Sequence, residues 1–162
     1  MLHPDPVSGE AAHGHPLLIP EFAPQSGIIL TWPHPGTDWL SRLADTEKLY
    51  VEIASTITRY ERLLIICCDT RHRQHISRLL EHAGVALQAV RFAICETDDT
   101  WVRDYGPITF AHDGRLLLQD FTFDGWGGKY PAALDNRVSR SLFDAGFFGD
   151  NEHLQQQLVL EG

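Results

Sequence analysis

Residues Leu63 to Cys68 read LLIICC, and Asp69 to Gly84 follow as DTRHRQHISRLLEHAG. An unbroken, Ile-rich apolar run of this length reads as a buried strand. Asp69 or Thr70 then offers a side-chain oxygen to cap a helix. Within that helix Ile76, Leu79, Leu80 and Ala83 recur at helical spacing and are expected to face inward. Gly84 stands where a left-handed residue ends a helix.

The same alternation extends both ways. Upstream, Gly27 to Trp32 (GIILTW) is a short apolar strand closed by Pro33 and Pro35. Asp38 is a candidate N-cap for a helix in which Trp39, Leu43, Tyr50, Ile53, Ile57 and Tyr60 share a face. Downstream, Leu87 to Cys95 reads as a third strand. Ile108 to Phe110 and Leu116 to Phe123 read as a hairpin across His112-Asp113-Gly114-Arg115, where Asp-Gly signals the turn. A further helix is expected from about Ala132 to Ala145, with Val138, Leu142 and Ala145 inward and Gly146 at its end. Leu158 to Leu160 begins another strand. Strands alternating with helices define an α/β fold. Residues 1–16, with His3, His13 and His15 and no hydrophobic period, read as a disordered leader before a domain over 17–162. An ending at Glu161-Gly162, with a strand just begun, reads as truncated.

Composition narrows the function. The chain has 162 residues, 43% hydrophobic and 22% charged, with a formal net charge of −9. Nucleic-acid binding relies on clustered cations, so a phosphate-backbone partner is not expected. No apolar stretch is long enough to span a membrane, and no signal peptide is evident. Cys67, Cys68 and Cys95 show no disulfide framework and read as small buried apolar residues in a reducing compartment, taken to be the cytoplasm.

The chemistry concentrates in Glu96 to Pro107, ETDDTWVRDYGP. Glu96, Asp98, Asp99 and Asp104 surround Trp101 and Arg103 directly after a strand, where ligand groups gather in α/β sheets. Carboxylates accept paired N–H bonds from a planar guanidinium. An indole face attracts a cation by about 0.5–2 kcal/mol. Asp104 and Trp101 therefore suit the floor of a guanidinium pocket. A plain alternative is a solvated loop with Arg103 paired to Asp99 or Asp104 and Trp101 in the core. A calcium site is a third reading, although the spacing is not that of an EF-hand loop.

Other candidates are weaker. Gly125 to Pro131 (GWGGKYP) is neither a phosphate-binding loop nor a dinucleotide fingerprint, and its glycines suit sharp turns or close backbone approach. Lys129 is read as a solubilising surface residue or a site residue, and His34 as a pocket border or a turn stabiliser. His72 and His75 would share a helix face, but no third ligand stands at metal spacing, so neither metal nor cofactor is expected.

PEFAPQSGIILTWPH, DDTWVRDYGP and FDGWGGKYP, in this order, resemble the agmatine deiminases and the related bacterial peptidylarginine deiminases. The resemblance runs from about Pro20 to Gly162. It implies the first two or so ββαβ units of a pseudo-fivefold, pentein-like α/β propeller. It also implies hydrolysis of a guanidinium through a covalent cysteine adduct, releasing ammonia and leaving a ureido group; from agmatine the product is N-carbamoylputrescine, in putrescine biosynthesis.

By resemblance, Asp104 matches the family Asp that binds the guanidinium, Trp101 an aromatic of the substrate channel, and Glu161 the Glu that orients the catalytic His. Arg103 and Asp99 lie in the motif and are read as supports behind those groups. The family's catalytic His and Cys fall beyond Gly162, so this chain alone is expected to be inactive and to self-associate through exposed strand edges. The alternatives are a non-catalytic binding module for cationic ligands and a purely structural domain.

Overall fold

The computed structural model describes residues 15–160. Glu161 and most of the expected leader fall outside the described residues.

Three strands follow from the apolar runs: β2 (Ile28–Thr31), β3 (Leu63–Cys67) and β4 (Val90–Ile94). They form a parallel sheet in the order β2-β3-β4, with Ile28 opposite Leu63 and Leu63 opposite Val90. Two helices cross between them: α1 (Leu43–Ile57), entered through a 3-10 turn at Leu40–Arg42, and α2 (Thr70–His82). Side chains on both faces of β3 are buried. Leu63, Ile65 and Cys67 meet Ala54, Ile76 and Leu80, whereas Ile66 joins Tyr105, Phe123, Val138 and Leu142 on the other face. Cover on two sides explains the unbroken LLIIC.

Asp69 caps α2, accepting from the His72 amide at 2.7 Å, and Gly84 has φ 73. Ala83 and Ala145, expected inward, are exposed. Each sits at the C-cap, where the inward-facing stripe has already turned away. Asp38 caps nothing, because the 3-10 turn begins two residues later without a side-chain bond. Tyr60 lies beyond the end of α1 and is 82% exposed.

The second sheet has four strands. Its hairpin is β5 (Ile108–His112) and β6 (Arg115–Thr122), turning through Asp113 (φ 47) and Gly114 (φ 75). After a 3-10 turn at Asp135–Arg137 comes α5 (Val138–Asp144), and then β7 (Glu152–Val159), parallel to β6. This unit has the expected ββαβ order, whereas the first sheet is parallel throughout. A two-residue strand absent from the sequence reading, β1 (Leu17–Leu18), pairs antiparallel with β5. Two further short elements matter below: α3 (Val102–Tyr105) and α4 (Gly125–Gly128). In α4, Trp126 and Gly127 have φ 56 and 74, so it is a left-handed turn rather than a helix. Gly125 is required there, since at φ 74 a Cβ would collide with the Tyr130 carbonyl.

Candidate functional site

The carboxyl ends of β2, β3 and β4 carry the loops in which polar groups gather, as the parallel topology dictates. The loop after β4 is cross-braced rather than loose. Asp135, with no exposed surface, accepts through Oδ1 from the amides of Asp98 (2.8 Å) and Asp99 (3.2 Å). Asp98 returns the contact, its Oδ2 accepting from the Leu134 amide at 2.9 Å. The buried Tyr105 hydroxyl bonds the Thr31 hydroxyl (2.7 Å) and the Asp99 carbonyl (2.9 Å). Ser139 donates to the Tyr105 carbonyl at 3.2 Å.

Between these ties the chain makes one turn. The Asp104 amide donates to the Trp101 carbonyl at 2.9 Å, so a single turn of backbone separates the indole from the carboxylate. Trp101 is 52% exposed and Asp104 half-buried. The indole is therefore presented outward, not packed in the core. Its neighbour is the Trp39 ring, 6.3 Å away and tilted by 41°. Trp39 in turn donates to the Thr100 hydroxyl at 2.9 Å.

Asp99 is folded back onto its loop, its Oδ1 accepting from the Thr100 amide at 2.6 Å. Burial pushes its carboxyl above the usual carboxylate range, and the charges of Asp38 and Asp104 push the same way. Asp38, Asp99 and Asp104 thus share one anionic field beside two indoles, an environment suited to a flat cation. Arg103 turns outward and pairs with Glu21 at 3.0 Å. Both are exposed, so the bond contributes little.

The remaining candidates separate. His34 accepts from the Gly36 amide at Nδ1 (3.1 Å), which leaves the proton on Nε2 for Thr97 Oγ1 at 3.3 Å. It is the turn-stabilising residue of its loop, and burial lowers its basicity. His72 and His75 diverge: His72 Nδ1 meets the Cys68 amide at 3.2 Å, while His75 reaches Glu47 at 2.8 Å. Among the described residues no group of three His, Cys, Asp or Glu is placed to hold a metal ion. Lys129 is exposed, its ammonium 5.0 Å over the Tyr130 ring. Burial raises all three thiols, Cys67 to about 12, so none is a ready nucleophile. No described helix is long and apolar enough to cross a membrane.

Sequence reasoning missed Asp135 and Ser139, which hold the loop from behind. A carboxylate among Ala132, Ala133 and Leu134 carries no local mark of burial. Its place at a helix start was the one available hint.

Comparison with known proteins bears on these residues. A family model described as Porphyromonas-type peptidyl-arginine deiminase matches residues 17–162. Agmatine deiminase of Ectopseudomonas mendocina is 28% identical over 149 residues, covering 88% of this chain and 38% of that protein. The chain is similar in structure to a Cys-to-Ser variant of C. jejuni agmatine deiminase with substrate bound, with a TM-score of 0.80 and 31% identity. That match covers 91% of this chain and 41% of the other. The α/β architecture is thus that of the N-terminal part of agmatine deiminases, and the chain spans about two-fifths of the length of the relatives it matches.

Proposed function

Since the chain belongs to the Porphyromonas-type peptidyl-arginine deiminase family, we propose that it forms the guanidinium-gripping part of a hydrolase that converts agmatine to N-carbamoylputrescine and ammonia. The observation that carries this reading is the Trp101–Asp104 turn, an exposed indole beside Trp39 with a half-buried carboxylate one backbone turn later. Asp104 accepts two guanidinium N–H groups and Trp101 covers the flat face of the cation. Asp99 and Arg103 support the loop. Glu161 orients the family histidine.

Agmatine rather than peptidylarginine is favoured by the shared field of Asp38, Asp99 and Asp104, which suits a ligand with a second positive charge. The 162 residues alone bind without turnover, because attack on the guanidinium carbon needs a thiolate, and Cys67, Cys68 and Cys95 are held as thiols by burial.

Calorimetric titration with agmatine, alongside an ammonia assay, tests both halves. Wild-type chain is expected to bind and to release no ammonia. Asp104→Asn is expected to weaken binding by about 1.5–3 kcal/mol, the scale of a charged hydrogen bond. Unchanged affinity in that variant removes Asp104 from the site, and ammonia release by wild type overturns the claim of inactivity.

A further inference from the structure

Trp101 and Asp104 lie on a loop whose two ends are gripped by one short segment, Leu134 to Ser139. The start is held by Asp135 and Leu134, which bond the Asp98–Asp99 backbone and the Asp98 carboxylate. The end is held by Ser139 at the Tyr105 carbonyl. Asp135 makes the most demanding of these ties. It is wholly buried, and among the described residues its Oδ2 has no hydrogen-bond partner. Burying a carboxylate with one oxygen unsatisfied is destabilising. What it returns locally is two amides fixed by one oxygen, immediately before the turn that presents the indole and the carboxylate.

We propose that Asp135 is a positioning residue for the guanidinium site: by holding the Asp98 and Asp99 amides it sets where Trp101 and Asp104 stand. This rests on the reading of those two residues as the site. A planar cation held by a carboxylate and a ring face tolerates little misplacement of either. Asp135 acts through the backbone and does not touch the ligand.

The geometry has an electrostatic corollary. Burial pushes Asp135 up to about 7, against the pull of the two amides, with the charges of Asp98 and Asp99 adding to the rise. The groups facing it are Asp98 and Asp99 from the loop, Tyr105 from α3 and Cys95 after β4. Deprotonation turns the tie into a charge-assisted one, so the grip on the loop tightens as pH rises through about 7.

The test compares the 162-residue wild type with Asp135→Asn and Asp135→Ala. Two readouts are used: amide hydrogen exchange over residues 98–105, and agmatine affinity across pH 6 to 8 by tryptophan fluorescence. Asn keeps an acceptor oxygen without the titration. Its exchange is expected to match wild type at pH 6, below the titration, and its affinity to lose the rise with pH that wild type shows. In Ala, exchange over 98–105 is expected to rise roughly tenfold or more while α1 and α2 amides stay protected. Its agmatine affinity is expected to fall about tenfold. Unchanged exchange at 98–105 in Ala overturns the proposal, as does a uniform loss of protection in both variants. If wild type does not bind agmatine, the guanidinium reading fails on its own, and the exchange readout still decides whether Asp135 sets the loop.

Discussion

Trp39 and Trp101 face each other across 6.3 Å although they stand on loops after different strands, β2 and β4. The contact is directed, because the Trp39 Nε1–H donates to Thr100, the residue before Trp101. Trp39 is therefore the side wall that limits how Trp101 moves. Trp39→Ala is expected to raise acrylamide quenching of Trp101 and to weaken agmatine binding by about 0.5–1.5 kcal/mol, the scale of an aromatic pair. Equal quenching before and after the change would remove the wall.

A second relation concerns stability. His153 Nε2 lies 3.3 Å from Asp120 Oδ2 across β6 and β7, with side chains 2% and 4% exposed, and the imidazole stacks on Phe143 at 5.0 Å. Burial raises the Asp120 carboxyl, and the imidazole opposes that rise. His153→Ala leaves a buried carboxylate without its partner, so denaturation at pH 8 is expected to show a loss of about 3–5 kcal/mol. Because burial raises that carboxyl, the loss is expected to shrink as pH falls.

Asp135 gives stability a pH slope of known sign. Its folded value near 7 lies above that of an unfolded aspartate. The proton is held more tightly in the folded chain, so this stabilisation is complete below the unfolded value and lost as pH rises through about 7. Asp99 and Asp120 are raised as well and act in the same sense. Denaturation midpoints are expected to fall from pH 5 to 8 in wild type. Asp135→Asn is expected to remove about 1–3 kcal/mol of that fall, and an unaltered slope would refute the assignment.

Self-association is expected at the margins of the second sheet. Leu158, Val159 and Leu160 are 65%, 45% and 40% exposed at the end of β7, and Leu17 and Leu18 are 70% and 61% exposed on β1. Bare edges with apolar side chains recruit further strands. Light scattering is expected to show mass rising with concentration, and Leu158→Lys to reduce it. A monodisperse monomer at high concentration would count against it.

The legible parts of the chain were those where burial is two-sided or a turn has one chemical solution. LLIIC declared β3 because both its faces are covered, and Asp113-Gly114 declared the hairpin because both residues have positive φ. Only the tail of β7 was legible. Most of its side chains face water, and its most deeply buried one is His153, a polar residue set 3.3 Å from the Asp120 carboxylate where an apolar one would have signalled the strand. The Trp101–Asp104 turn stood out because an indole among carboxylates is informative in one dimension. Its brace did not, because a separation of 36 positions between Asp99 and Asp135 hides a contact made only by the fold.

The pairing of β1 with β5 works as a stitch, fixing the front of the chain into the second sheet. Leu17 opposes Ala111 and Leu18 opposes Phe110, and the Ile19 amide adds a bond to Thr109 at 3.1 Å, while the whole first sheet lies between these segments in the chain. Closing so long a loop opposes folding by about 4 kcal/mol of chain entropy. That stitch belongs among the late folding events, after each sheet has formed its local contacts. Cutting the polypeptide between the sheets would not yield two self-sufficient halves, since the rear piece would leave its outermost ribbon behind on the front one.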